Sequence, residues 1–338
     1  MTLDYSTRCP YTFRPLANPM ATRSEFVDRE LPQGWQGSLT ITIALAGARA
    51  SGKTLYIAVL LKVLEQMIEN YGQVLRPADA STAESYAHNY EDPLYRKMGL
   101  PNSTPSINSG DAYQHDPLIF DIGKWDIQGE QRQVFLVLRD VAGEDLEVLP
   151  KENLAQLEFF QYAHEIIFLF DPLTVEEIQK MLRGKVHVES ADEEPTKNVL
   201  DNLLYLMNGT RTRLAVTLSK FDTLRQLEEI QGLDWAEIMG NYGAAFNREL
   251  DPPYTGTDQV LLHNEISSLL VRLDAKRLIN TLTSQGFDQG SQLRFFAVSS
   301  LGNNPHGSHL DRSGIAPFRC ADPVLWLLYD YNILTGGK

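Results

Sequence analysis

A glycine-rich turn between an apolar segment and an amphipathic one constrains the fold of this chain most. Residues 39–46 are apolar and β-branched, which predicts a buried strand, and apolar positions recur every three or four residues over 53–69, which predicts a helix. The turn between them fits G-x-x-x-x-G-K-[ST], a pattern whose backbone N–H groups surround phosphate oxygens. Lys53 should reach the β- and γ-phosphates, and Thr54 should hold Mg²⁺. The residues we expect to hold the phosphates are Gly47, Ala50, Ser51, Gly52, Lys53 and Thr54.

Further apolar runs alternate with helical patterns. Runs at 117–122 and 133–138 predict an antiparallel hairpin, and three later runs, at 166–170, 213–218 and 293–298, predict more strands. Strands alternating with helices indicate a mostly parallel sheet covered on both faces. We therefore predict the α/β class, a three-layer P-loop domain with a mostly parallel six-stranded sheet, one antiparallel strand and a helical insertion before the last strand. The helical patterns lie at 154–162, 175–182, 198–207 and 259–282.

The pattern also predicts how the chain is divided. Residues 1–36 have no sustained periodicity, so we expect an extended N-terminal arm, followed by a single domain over 37–338. Residues 73–115 are polar and too numerous for a passive connection, which predicts a long functional loop. Residues 223–290 are the predicted helical insertion.

Charge and cysteine content exclude several classes of function. Thirty Lys and Arg against 44 Asp and Glu give a net charge of −14, which opposes direct binding to nucleic acid or anionic lipid. Two cysteines, Cys9 and Cys320, are too few for a disulfide framework and are typical of a reducing compartment. Neither a secretory signal nor a membrane-spanning run is visible in the sequence. We therefore expect a cytoplasmic location.

Two aspartates compete for the role of second metal ligand. Asp140 and Asp171 each end an apolar strand. Only Asp140 continues as D-x-x-G, in which the aspartate can hold Mg²⁺ and the Gly143 N–H can meet a γ-phosphate. We favour Asp140, and we interpret Asp171, which precedes a proline, as a turn residue.

A K-x-D element after the strand at 213–218 suggests how the base is read. Asp222 can accept hydrogen bonds from guanine N1 and N2, which adenine cannot supply, and the stem of Lys220 can lie along the ring. Ser219 stands where Asn or Thr is usual. Ser299, Ser300 and Leu301, after the last predicted strand, are similar to the loop that backs the guanine.

Together these motifs resemble P-loop GTPases of the translation-factor-related and Ras-like clade. More narrowly, the chain resembles the bacterial double-GTPase family, whose members are thought to act in conflict or defence loci. The segments that carry this resemblance are the long first loop with residues 99–104, then 140–145 and 168–172, the large insertion before 295–302, and 322–327. The resemblance implies GTP and GDP as ligands, Mg²⁺ as cofactor, and GTP hydrolysis as the output of a molecular switch. By analogy with G domains it implies the strand order 2-3-1-4-5-6. It also implies a switch-loop threonine that caps Mg²⁺ and the γ-phosphate; Thr104 fits best, and Thr82 is the rival.

Two side chains depart from the Ras-like pattern near the γ-phosphate. Glu144 stands in place of the glutamine that orients water, and a carboxylate there could orient or deprotonate water. Arg49 replaces a glycine, and it either supplies positive charge to the reaction or turns outward to an acidic neighbour. The set of expected catalytic residues is Lys53, Thr104, Glu144 and Arg49.

Two other functions stay open at this stage. One is a P-loop ATPase that uses Asp171; the other is a nucleotide-stabilised interaction module with little hydrolysis. We expect protein partners to bind the switch loops or the insertion at 223–290, and a homo- or hetero-oligomer is compatible with the sequence.

Overall fold

A computed structural model of the chain describes residues 3–106, 116–148, 154–182, 193–210, 212–229, 234–249, 255–302, 310 and 314–335, and every structural statement below concerns these residues. Its central element is a seven-stranded sheet in the order β2-β3-β4-β1-β5-β6-β7. The strands are β1 (Leu39–Ala46), β2 (Arg76–Pro77), β3 (Leu118–Ile127), β4 (Glu130–Arg139), β5 (Glu165–Phe170), β6 (Arg213–Leu218) and β7 (Leu293–Ala297).

Helices and short helical turns connect these strands. The α-helices are α1 (Lys53–Glu69), α2 (Ala80–Tyr86), α3 (Gly143–Glu147), α4 (Leu154–Leu157), α5 (Glu176–Leu182), α6 (Glu193–Met207), α7 (Phe221–Arg225), α8 (Trp235–Met239), α9 (Gly256–Arg272), α10 (Lys276–Ser284) and α11 (Asp322–Asp330). A π-helical segment spans Ala87–Arg96, and 3-10 turns span Glu158–Gln161, Pro172–Thr174, Gln226–Glu229 and Ala245–Asn247.

The sheet confirms the predicted fold class. Every residue of β1, β5 and β6 is buried, so both faces of the sheet are covered. Pairing is parallel from β4 through β1, β5 and β6 to β7, and β3 runs against both of its neighbours. The six longer strands follow the expected order 2-3-1-4-5-6. The predicted number of strands is wrong by one, because two residues, Arg76 and Pro77, pair with the outer edge of β3.

The segment predicted as a long loop, 73–115, contains regular structure through residue 96. Asp79 caps α2 by accepting a hydrogen bond from the Thr82 N–H at 2.7 Å, and the π-helical segment that follows includes Pro93. Tyr86, Tyr90 and Leu94 are buried at four-residue spacing, which turns this polar stretch into an amphipathic helix. Residues 107–115 of the predicted loop lie outside the described residues.

Two predicted helices are interrupted. The pattern at 259–282 is divided into α9 and α10 because Asp274 adopts a left-handed conformation with φ 60°, which ends a helix. The buried stripe continues across this break through Leu270, Leu273 and Leu278, so apolar periodicity could not reveal it. The pattern at 154–162 is α4 followed by a 3-10 turn, and predicted strand and helix ends elsewhere shift by a few residues.

The first 36 residues fold back on the sheet. Bridges between Arg8 and Pro15 and between Arg23 and Glu30 close two narrow loops, so the segment is less extended than predicted. Cys9, Phe13 and Trp35 are completely buried in the same apolar cluster as the sheet. The boundary at residues 36/37 stays a prediction.

None of the described helices combines the length and the apolar character that crossing a membrane requires.

Candidate nucleotide site

The turn after β1 is shaped by close backbone approaches. A Cβ atom on Gly47 would lie 2.6 Å from the Leu169 carbonyl oxygen, so a larger residue does not fit there. Gly52 has φ 89°, a conformation that glycine adopts without strain, and α1 begins directly after it. Ala50 also adopts a left-handed conformation, with φ 63°. Ser51 is buried, and its hydroxyl has no hydrogen-bond partner among the described residues.

Lys53 closes the turn. Its Nζ donates hydrogen bonds to the carbonyl oxygens of Gly47 at 2.7 Å and Ala48 at 3.2 Å. Burial lowers the pKa of Lys53, whereas the nearby carboxylates of Asp140 and Glu147 act in the opposite direction. A buried ammonium surrounded by backbone dipoles and N–H groups is suited to binding an anion such as a phosphate.

Three oxygen-bearing side chains meet beside this turn. Thr54 Oγ1 lies 2.9 Å from Thr104 Oγ1, and the Thr104 hydroxyl donates to Asp140 Oδ2 at 2.6 Å. The other oxygen, Asp140 Oδ1, is buried without a hydrogen-bond partner among the described residues. Burial raises the pKa of Asp140, since the charged form is poorly solvated there.

This cluster fits a magnesium ion. Mg²⁺ takes oxygen ligands and is usually bound by one or two carboxylates together with phosphate oxygens. Thr54, Thr104 and Asp140 are the residues that would hold it, and the unpaired Asp140 Oδ1 is the kind of atom that a cation satisfies. The cation would neutralise phosphate charge and favour the deprotonated carboxylate.

The rival residues lie elsewhere. Thr82 Oγ1 accepts a hydrogen bond from the Ile119 N–H at 3.1 Å and so ties α2 to β3. Asp171 accepts from the Leu173 N–H at 2.8 Å and from Lys220 Nζ at 2.6 Å. Neither is part of the Thr54–Thr104–Asp140 cluster.

Gly143 lies directly against the phosphate-binding turn. A Cβ atom there would be 2.3 Å from the Arg49 backbone nitrogen and 2.6 Å from the Ala48 carbonyl carbon. Glycine is therefore the residue this contact requires. The side chains of Glu144 and Arg49, two of the predicted catalytic residues, are exposed at this edge, so the structure does not bring them into the hydroxyl–carboxylate cluster.

The residues predicted to read the base form a second group along the same edge of the sheet. Ser299 Oγ donates to Asp222 Oδ1 at 2.6 Å and accepts from the Gly302 N–H at 2.9 Å. Lys220 has φ 50° and begins α7. Ser219 is held by hydrogen bonds from its N–H and its hydroxyl to the Phe170 carbonyl oxygen. Leu301 is buried and Ser300 is half-buried. The two motifs are thus joined, although they are 77 residues apart.

Several contacts at this site were not predicted from sequence. Asp171 accepts a hydrogen bond from Lys220, and sequence could have suggested this pair, because Phe170 and Leu218 are in register and Asp171 and Lys220 follow them by one and two residues. Ser106 donates to Asp145 Oδ1 at 2.6 Å, which links the predicted long loop at 73–115, here called the first switch segment, to the residues that follow Asp140, here called the second switch segment (141–148). The bridge between Ser299 and Phe318 backs the base loop. No local pattern signals the last two contacts.

Parallel strands that end in a phosphate-binding turn, with a hydroxyl–carboxylate cluster beside it, define the class of P-loop proteins with G-domain architecture. The model of the family described as Double-GTPase 2 matches residues 41–253. The chain belongs to this family, which confirms the resemblance noted in the sequence. The matched segment includes the phosphate-binding turn, Asp140 and the K-x-D element, and it ends before Ser299.

A similar protein is known from Mycolicibacterium smegmatis (strain ATCC 700084 / mc(2)155). Its name is "Putative ESX-1 scaffolding and assembly protein SaeC". The two chains are 42% identical over 306 residues, which is 90% of this chain and 78% of the relative. The similarity therefore extends over nearly the whole chain, including segments beyond the family match.

Proposed function

We propose that this protein binds guanine nucleotides with Mg²⁺ and hydrolyses GTP. Its GTP-bound and GDP-bound forms are the two states of a molecular switch. The observation that carries the proposal is the convergence of Thr54, Thr104 and Asp140 beside the phosphate-binding turn. These residues come from α1, the first switch segment and the end of β4. A ligand that joins them therefore couples three separate parts of the chain.

Guanine selectivity rests on Asp222 in this proposal. Its carboxylate is fixed by Ser299, its residue is half-buried, and one oxygen can serve as acceptor for guanine N1 and N2. Lys220 is held in place by Asp171. Membership of a GTPase family supports the same base.

We assign hydrolysis a slow rate in the isolated protein. Because Glu144 and Arg49 are exposed, a partner or closure of the switch segments would have to bring them to the phosphate before either could orient water or stabilise charge. Lys53 and Thr104 would act on the γ-phosphate without such a movement.

We propose that the output is protein assembly. The relative's name refers to scaffolding and assembly, and this supports a protein partner. The name does not support the defence role implied by the resemblance. The switch segments and the helical insertion at 223–290 are the surfaces we assign to that partner. We place the protein in the cytoplasm, where GTP and Mg²⁺ are available.

Isothermal titration of nucleotide-stripped protein with GTPγS and ATPγS in Mg²⁺ tests the proposal. We expect GTPγS to bind at least about tenfold more tightly, the ratio that 1.4 kcal/mol of base discrimination gives. Asp222→Asn should move the preference toward xanthine nucleotide, because an amide presents a donor where the carboxylate accepts. Equal binding of GTPγS and ATPγS, with no effect of Asp222→Asn, would favour the ATPase alternative. Tight retention of GTP without phosphate release would favour the interaction module.

A further inference from the structure

A carboxylate of the chain itself lies on the phosphate-binding turn. Glu147, the last residue of α3, accepts a hydrogen bond from the Arg49 backbone N–H at 3.3 Å. The N–H groups of such a turn ordinarily face phosphate oxygens. The motif alone therefore does not explain an acidic side chain from a distant part of the chain at this position.

The contact lies on the side of the turn where a γ-phosphate is expected. The backbone of Gly143 is packed against the same Arg49 nitrogen, and Gly143 is the residue whose N–H should meet the γ-phosphate. The carboxylate is also close enough to Lys53 to counteract the lowering of the lysine pKa by burial. Glu147 thus bonds the same Arg49 nitrogen against which Gly143 packs, and its charge acts on Lys53.

The backbone of Glu147 is held in position from the opposite side. Asn202, on α6, donates through Nδ2 to the carbonyl oxygens of Leu146 at 2.8 Å and of Glu147 at 3.2 Å. Glu147 is half-buried between α6 and the phosphate-binding turn. The backbone is therefore fixed, and the side chain extends from it to the Arg49 N–H through a solvent-exposed hydrogen bond.

We infer that Glu147 is the residue by which this site distinguishes a nucleoside triphosphate from a diphosphate, an inference that rests on the proposed function. When a diphosphate is bound, the Arg49 N–H continues to donate to Glu147. A γ-phosphate brings negative charge to the same side, repels the carboxylate and takes its place. The energy of that displacement opposes triphosphate binding and releases the end of α3, which makes the second switch segment sensitive to the third phosphate.

Titration of GDP and GTPγS into Glu147→Gln and wild-type protein tests this inference. Glutamine keeps a hydrogen-bond acceptor for Arg49 and removes the charge. We expect the affinity ratio to shift about five- to tenfold toward GTPγS, the effect of removing one partly screened like charge, with GDP affinity nearly unchanged. Glu130→Gln, an exposed charge removal at the far end of β4, should leave the ratio as in wild type.

The outcomes separate this inference from the proposed function. If wild-type protein binds neither nucleotide, the proposed function falls and the inference with it. Binding of both with an unchanged ratio in Glu147→Gln overturns the inference alone. Equal weakening of both nucleotides does so too, because it shows a purely structural role.

Hydrogen exchange on wild-type protein gives a second test that needs no variant. Backbone amides of residues 145–148, beyond the Gly143 N–H that should meet the γ-phosphate, should exchange faster with GTPγS than with GDP, since the triphosphate breaks the Glu147 contact. Equal protection in the two complexes contradicts the inference.

Discussion

Asp140 is the residue on which the proposed magnesium site depends. It is buried, one of its oxygens is held by Thr104, and the other is unpaired among the described residues. Asp140→Asn should weaken Mg²⁺-dependent GTPγS binding by roughly 10- to 100-fold, because an interaction with a charged group is worth about 1.5–3 kcal/mol. The measurement is a titration of GTPγS at saturating and at chelated Mg²⁺.

Asp171→Asn is the matched control, since Asp171 also ends a strand at this edge. Loss of the Asp171 carboxylate should remove the ion pair that holds Lys220 and reduce the preference for guanine over adenine nucleotides. The dependence of binding on Mg²⁺ should be retained. A larger loss of Mg²⁺ dependence in Asp171→Asn than in Asp140→Asn would show that the assignment of the two aspartates is reversed.

Glu165 is a buried carboxyl remote from the phosphate turn, at the first position of β5. Neither oxygen has a hydrogen-bond partner among the described residues. Burial raises the pKa of Glu165 well above its usual value; Arg213 and Arg294 lower it, and Asp330 raises it. Since the folded protein prefers the protonated form, stability is highest below the pKa of the unfolded chain and is lost as pH rises through the folded pKa.

Glu165→Gln should remove the loss of stability that occurs as pH rises. The variant should have a thermal midpoint that changes less between pH 5 and pH 8 than the midpoint of wild-type protein. Glu158→Gln, which removes a half-exposed carboxylate paired with Arg14, should follow the wild-type profile. If the thermal midpoint of Glu165→Gln changes with pH as in wild-type protein, another group causes the pH dependence.

Sequence predicted which of the predicted site residues meet at one edge of the sheet better than it predicted the contacts they make there. The phosphate turn, Asp140, the K-x-D element and Ser299 each follow a strand end, so local pattern and parallel topology suffice to bring them to one edge. The contact of Glu147 with Arg49 depends on the angle at which α3 leaves the sheet, which local pattern does not encode. Local pattern also does not encode the outward direction of the Arg49 side chain, so the sequence left both orientations of Arg49 open.

At the scale of elements, a buried ion network fixes the helical insertion to the rest of the domain. Arg319 contacts Asp258 on α9 and donates through Nε to Asp322 on α11 at 2.7 Å. Its Nη1 also donates to the carbonyl oxygens of Ala245 and Arg248. Two carboxylates share one buried cation; burial, followed by the proximity of Asp258 and Glu249, raises the pKa of Asp322 to about 7 in spite of Arg319.

Arg319→Met should destabilise the protein by about 3–5 kcal/mol, because it leaves the buried Asp322 without its cation and leaves Asp258 paired with Arg248 alone. Chemical denaturation measures this loss. Arg272→Met, at the exposed end of α9, removes a similar side chain and should change stability by less than about 0.5 kcal/mol. A loss of similar size in both variants would show that the network contributes nothing specific.

Element boundaries were predictable where a single cause set them. Strand β1 and helix α1 have the predicted limits, since burial defines one and the glycine turn defines the start of the other. The break before α10 and the helices inside 73–96 were missed because a left-handed Asp274 and a tyrosine stripe within polar sequence are decided by tertiary packing.

On the scale of the whole molecule, the N-terminal segment is part of the core. Trp35 packs against Phe135 of β4 with ring centroids 4.5 Å apart, and its Nε1 donates to the Arg8 carbonyl oxygen at 3.0 Å. Trp35→Ala should therefore cost about 3–5 kcal/mol of stability. Met20→Ala, in the same segment but 62% exposed, should cost less than about 0.5 kcal/mol.

Thermal unfolding of the two variants provides the measurement, and it also tests the predicted boundary at residue 36. If Trp35→Ala unfolds with the wild-type midpoint, residues 1–36 form a dispensable arm. A lower midpoint with one cooperative transition would show that the segment and the sheet unfold together.

The single hydrogen bond between Asp222 and Ser299 has a consequence for how the protein is made. A ribosome delivers every proposed phosphate-contacting residue before residue 148, whereas the base loop is backed only after Phe318 has been synthesised and paired with Ser299. Because domains fold progressively as the chain emerges, the nascent protein has its phosphate turn long before its base pocket. In the proposed function, selectivity for one base is thus acquired at the end of synthesis, after the helical insertion has been made.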